Sequence, residues 1–352
     1  ASSAGNAISF SSTVAGAKAL IVDAGAGSIT FSDVVGGTPL TSLQTTSTHS
    51  TGTNIAANIT TTGTQGYSGA VTLTGTGATR TLQGTTMTTS STIAGGANAL
   101  TITGNAVFGG AITNVTNLSV SGTTSIGGDI TTTGTQGYSG AVTLSGTGAT
   151  RTLEGTTVTA SSTIAGGANA LTITGNAVFG GAITGVTNLS VSGTTSIGAD
   201  ITTTGTQGYS GAVTLSGDSI LTASNNSNIT FSSTVNSQSS TPYLLRLVNG
   251  TGTSTFGAAV GVTNSLASLT TATGTTVLAN DVQTIGNQSY GGNVTLNSSL
   301  SMTSLSNGDI TIAGNVTTLS NILQFLGSGA YILNGTSYAP SGSYTNTSLG
   351  TA

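Results

Sequence analysis

The chain reads as an all-β solenoid whose short strands stack in parallel. Three observations predict this: a long internal repeat, strand-like runs at short spacing, and the lack of any helical pattern. Tyr67, Tyr138 and Tyr209 lie in one recurring phrase, Ile-Thr-Thr-Thr-Gly-Thr-Gln-Gly-Tyr-Ser-Gly-Ala-Val-Thr-Leu, at a spacing of 71 residues. A looser copy, Val-Gln-Thr-Ile-Gly-Asn-Gln-Ser-Tyr-Gly-Gly-Asn-Val-Thr-Leu, holds Tyr290. A long self-similar chain is one short structural unit stacked on itself, so these four tyrosines mark a repeated structural position.

The repeat covers most of the sequence. Residues 59–129 and 130–200 align without gaps and differ at six positions, among them Thr74/Ser145, Gln83/Glu154, Met87/Val158 and Asn114/Gly185. Further out, Ile8-Ser9-Phe10-Ser11-Ser12-Thr13-Val14 matches Ile229-Thr230-Phe231-Ser232-Ser233-Thr234-Val235, and the run from Phe256 to Asn264 parallels that from Phe179 to Asn188. Residues 1–320 therefore form one continuous solenoid.

Within each unit, runs of alternating apolar and hydroxyl residues begin at Val71, Leu100, Leu118 and Val142, in steps of 29, 18 and 24 residues. Alternation is the period of a half-buried strand, and Thr, Val and Ile favour strands. The steps average about 24 residues, so a 71-residue unit reads as three coils and the chain as roughly 15, rising about 4.8 Å each. Val71, Leu73, Leu100, Ile102, Leu118 and Val120 are expected to point inward, and Thr72, Thr101, Thr103, Ser119 and Ser121 outward. Turn clusters such as Gly95-Gly96-Ala97-Asn98 separate the runs. A chain of β-sandwiches would need hairpin turns at close spacing and a bulky aromatic core. Aromatic residues are 4% of this chain, which favours the solenoid.

After residue 320 the register weakens. Residues 321–352 read as a cap or an assembly contact, with Ile322, Leu323, Phe325, Leu326, Tyr331 and Tyr338 as candidate contact residues, because a solenoid end left bare is a sheet edge.

Composition narrows the function. Charged residues are 3% of the chain and the net charge is -4, with no basic patch, so neither nucleic acid nor an anionic membrane is an expected partner. No apolar run is long enough to span a membrane. Cysteine is absent, which excludes disulfides and thiolate metal sites and suits passage through a bacterial envelope. The start at Ala1, without Met, fits a mature N-terminus or a cut fragment.

The phrases Thr-Thr-Thr-Gly-Thr-Gln-Gly-Tyr-Ser-Gly-Ala-Val-Thr-Leu, Ser227-Asn228-Ile229-Thr230-Phe231-Ser232-Ser233-Thr234-Val235 and Thr255-Phe256-Gly257-Ala258-Ala259-Val260-Gly261 resemble repeats of filamentous-haemagglutinin-like and autotransporter-like bacterial surface proteins. The resemblance covers roughly residues 6–320. It implies a right-handed parallel β-helix, export to the cell surface, and a role in adhesion or biofilm. The Asn-Pro-Asn motifs of a two-partner secretion domain and an outer-membrane barrel do not occur in this sequence, which leaves the export route open.

Residues with catalytic chemistry are sparse. Glycoside hydrolysis usually needs two facing carboxyl groups, yet Glu154 is the single Glu and its counterpart in the preceding copy is Gln83. Asp129, Asp200 and Asp281 share one repeat position, filled by Asn58 in the first copy, and read as turn residues that bond their own backbone. His49 is the sole His, in a Ser/Thr-rich loop without a nucleophile partner. Arg80 and Arg151, repeat equivalents, read as solvated side chains on one face. Asn-x-Ser/Thr acceptor motifs occur at Asn58, Asn114, Asn188, Asn293 and Asn315, among others, at little more than the chance frequency. The chain is expected to be no enzyme and to need no cofactor or metal.

The expected function is an extracellular bacterial structural protein, a rigid subunit of a surface fibre or biofilm matrix that self-associates head to tail or laterally. The alternative is the stalk or passenger of an adhesin that binds a glycan or host receptor. A lesser alternative is ice binding through stacked ranks of Thr, including Thr72, Thr74, Thr101, Thr103, Thr172 and Thr174.

Overall fold

A computed structural model describes residues 5–75, 77–318, 321–334, 336–338 and 344–346, the last two segments as backbone only. It is all-β, without a helix among the described residues, and winds as a right-handed parallel β-helix. The chain divides into two compact units, Ala1–Gly175 and Asn176–Ala352.

In the first unit each coil crosses three faces. One face carries the inward residues Ile29, Thr53, Val71, Ile93, Ile112 and Ile130, which pair coil to coil. A second carries Leu43, Gln65, Met87, Ala106, Thr124 and Val142. A third carries Val35, Ile59, Leu82, Ile102, Val120 and Tyr138. The second unit repeats the pattern, with faces through Ile201–Leu221–Leu247, Gln207–Ile229–Ser254–Thr276 and Val213–Val235–Val260–Val282.

The alternation read from sequence sets these faces. Val71, Leu73, Leu100, Ile102, Leu118 and Val120 are all buried, while Thr103, Ser119 and Ser121 are exposed and Thr72 and Thr101 half-exposed. Each fully buried Leu, Ile or Val contributes about 1.5–3 kcal/mol relative to an exposed one. A single coil has no partner surface for these residues, so stacking supplies the core.

In the second unit paired residues lie 20 to 26 apart, close to the expected coil of about 24. In the first unit the coil is shorter than the spacing of runs predicts. Paired residues on one face of the first unit lie 24, 18, 22, 19 and 18 residues apart between Ile29 and Ile130. The expected step of 29 from Val71 to Leu100 joins two different faces: Val71 pairs with Ile93, and Leu100 with Leu118. Strands on all three faces share the Val-Thr-Leu pattern, so sequence likeness alone does not say which of them are neighbours.

This changes the meaning of the 71-residue repeat. From Ile59 to Ile130 the chain makes eleven face crossings, which is three coils and two thirds of a fourth. The same count of eleven separates Ile201 from Val282 in the second unit, despite the longer spacing there. Eleven is not a multiple of three, so in each unit the next copy starts on a different face. Ile59 lies on the third face of the first unit and Ile130 on the first.

Beyond residue 320, Leu323–Leu326 and Tyr331–Leu333 continue the parallel stack. Tyr344–Asn346 and Thr336–Tyr338 then pair with them antiparallel. The boundary drawn at residue 320 falls outside the described residues.

Candidate functional surfaces

Three devices in the repeat hold coils together. The first is the Gln-x-Tyr pair of the recurring phrase. Positions i and i+2 of a strand share a face, so both side chains turn inward. Tyr67, Tyr138, Tyr209 and Tyr290 each donate their hydroxyl to Oε1 of Gln65, Gln136, Gln207 and Gln288, at 2.8, 2.9, 3.0 and 3.0 Å. Each Gln Nε2 then donates to a carbonyl of its own coil and to one in the next; for Gln136 these are Ile130 O at 3.1 Å and Glu154 O at 2.7 Å. Burial pushes the ionisation of all four tyrosines far above the ordinary phenol range. The tyrosines are thus interior structural residues. Tyr138 lies between Val120 and Ala160, smaller neighbours that leave room for its ring.

The second device corrects the reading of the Asp series. Asn58, Asp129, Asp200 and Asp281 accept backbone N–H groups not from their own turns but from the next coil, at Thr81, Thr152, Ile220 and Ser301. Asn117, Asn188 and Asn228 do the same for Thr135, Thr206 and Thr253. A corner interrupts the ladder and leaves donors unmatched, and an outward Asx oxygen satisfies them. Asn and Asp serve equally because only the oxygen is used, which explains their interchange among copies.

The third device is the buried Asn98, with its copy Asn169. Nδ2 of Asn98 donates to the carbonyls of Gly75, Gly95 and Gly96, at 2.6, 2.9 and 3.2 Å, and its Oδ1 accepts from Ala78 N at 3.2 Å. One amide therefore fixes two adjacent corners.

Arg80 and Arg151 are not solvated outward side chains. Arg80 is 7% exposed and Arg151 half-buried. Arg80 pairs in register with inward Leu100, and its Nη2 donates to Thr74 O, closing its own loop. Arg151 does the same to Ser145 O at 2.6 Å. His49 is exposed; its Nδ1 accepts from Thr51 N at 3.2 Å and lies 3.0 Å from Thr51 Oγ1, a local loop contact.

Of the terminal candidates, Leu323, Phe325 and Tyr331 point into the last coil, where Phe325 and Tyr331 stack at 5.1 Å. Ile322 is 42% exposed and Leu326 half-buried, so these two reach the surface. The side chain of Tyr338 lies outside the description.

The outward ranks are mixed. Thr72 stands between Asn54 and Ala94, and Thr101 between Thr81 and Ser119. Those ranks form no unbroken threonine ladder. One of them opens into a groove of about 440 Å³ in the first unit, lined by Thr79, Thr101, Asn117, Ser119, Thr135 and Thr159, with Gly137 in its floor. Among the described residues no ionisable side chain lines it, so it offers hydroxyls and amides to a neutral ligand.

Comparison of the chain with family profiles, curated proteins and solved structures finds no match.

Proposed function

We propose that the protein is an extracellular bacterial structural protein, a rigid β-solenoid segment of a surface fibre or biofilm matrix that supports adhesion. The observation that carries this reading is the even recurrence of the Gln-x-Tyr and Asx staples through both units. A chain built from repeated inter-coil bonds, with Asp129, Asp200, Asp218, Asp281 and Asp309 and the buried amides used for stacking, is shaped by mechanical continuity. Its 3% of charged residues leave little repulsion between neighbouring molecules. The antiparallel strands at Thr336–Tyr338 and Tyr344–Asn346 occupy sheet edges of the last coil, which favours lateral over head-to-tail association.

Electron microscopy and diffraction of the purified chain test this. The expected result is laterally associated fibres with an axial spacing of about 4.8 Å. Isolated particles at every concentration would overturn self-association. A second reading, the stalk of a glycan-binding adhesin, is favoured by one observation: the open uncharged groove over Gly137.

A further inference from the structure

The repeat places glycine at the centre of Gln-Gly-Tyr in three copies, as Gly66, Gly137 and Gly208, and serine in the fourth, as Ser289. Glycine in a strand interior costs roughly 0.5–1 kcal/mol relative to alanine. The fold does not require it at two of these positions. Neither Gly137 nor Gly208 has a positive φ. A Cβ on Gly137 would meet only Leu118 O, at 4.0 Å, and one on Gly208 only Leu189 O, at 4.0 Å; both are ordinary contacts. Ser289 carries a Cβ at the same point of the phrase, within a regular pairing to Thr270. Glycine in such a place marks a close approach of something to the bare backbone.

The first copy contains an approaching group. The carboxamide of Gln44, from the preceding coil, lies where a Cβ on residue 66 would stand. Over Gly137 and Gly208 no side chain takes that place. Around Gly137, the outward rank sets Ser119 on one side and Thr159 on the other, with Thr101 one coil further. None of the three hydroxyls makes a hydrogen bond among the described residues. Around Gly208 the corresponding neighbours are Ser190 and Thr230.

We propose that the bare strands over Gly137 and Gly208 each bind the acetamido group of an N-acetylhexosamine glycan, in the place the Gln44 carboxamide fills over Gly66. The amide packs against the exposed strand, as the Gln44 carboxamide packs against Gly66, and the flanking Ser and Thr hydroxyls bond its carbonyl and the sugar hydroxyls. The absence of charged groups from the groove over Gly137 matches a neutral sugar. The inference deepens the adhesive part of the proposed function and rests on that reading, but not on fibre formation.

The test is isothermal titration of the full chain with N,N′-diacetylchitobiose, with cellobiose as the control lacking the acetamido group. Two sites per chain are expected for the first sugar and none for the second. Gly137→Gln and Gly208→Gln, each filling its own site, should reduce the stoichiometry to one, and together to zero. Gln44→Ala should uncover Gly66 and raise it to three. This gain of a site does not depend on the glycine variants folding. No binding, equal binding of both sugars, or a stoichiometry unchanged by all three substitutions would overturn the proposal. Fibres that persist while chitobiose fails to bind would leave the structural reading standing and remove only this one.

Discussion

Above about pH 10 each unit is expected to lose stability steeply, because its buried tyrosines cannot ionise in place. Unfolded tyrosine titrates near pH 10. Burial raises the folded-state value of Tyr67, Tyr138, Tyr209 and Tyr290 far beyond that. The folded state thus holds protons that the unfolded state gives up. The stabilisation is fully present below the unfolded pKa and is lost as the pH climbs toward the folded one. Each such group removes about 1.4 kcal/mol per pH unit, so a unit with two loses about 2.7 kcal/mol per pH unit. Urea unfolding between pH 9 and 12, followed by circular dichroism, measures the slope. In the Tyr→Phe variant at all four positions the slope should largely vanish, while stability near neutral pH falls by about 1–3 kcal/mol per site, since each Gln Oε1 loses its donor. A slope unchanged by those four substitutions would place alkaline sensitivity elsewhere.

The second large effect is expected at Asn98. Its amide is fully buried and makes four hydrogen bonds, three of them to carbonyls of two adjacent corners. Asn98→Ala leaves those carbonyls without donors and should cost about 3 kcal/mol, taking each orphaned buried group at about 1–3 kcal/mol and allowing for relaxation. Asn98→Asp is nearly the same shape, yet it should be worse than alanine at neutral pH. A carboxylate has no donors and would face the oxygens of Gly75, Gly95 and Gly96. Chemical denaturation of both variants checks the order. If aspartate proved milder than alanine, side-chain volume rather than the three donated bonds would hold these corners.

Much of this was legible in the sequence. The period-two runs fixed which residues turn inward, and the recurring phrase fixed the repeat length. Arg80 was legible too: in Thr79-Arg80-Thr81-Leu82 it shares parity with buried Leu82, and only the expectation that charge stays outside placed it on the surface. The shorter coils of the first unit, and which of its runs are neighbours, were not legible. Val71-Thr72-Leu73 and Leu100-Thr101-Ile102 look alike but lie on different faces, and the true partner of Val71 is Ile93, in the less regular Ile93-Ala94-Gly95. Corners also hid their partners. Asp129 reaches Thr152, 23 residues away, and no local pattern marks that bond. The groove over Gly137 depends on what the preceding coil places beside each glycine, so it too needed the register.

The central claim is that register: eleven face crossings per repeat, with successive copies on different faces. The chain lacks cysteine, so an engineered pair reports on itself alone. Thr72→Cys with Ala94→Cys joins positions that are direct partners on adjacent coils, within disulfide reach. Thr72→Cys with Thr101→Cys joins positions that would be partners if the look-alike runs at Val71 and Leu100 were neighbours on adjacent coils. Mild oxidation of both double variants decides between them. Rapid, complete closure of the 72–94 pair and none of the 72–101 pair is the predicted result. Closure of the 72–101 pair instead would contradict the account.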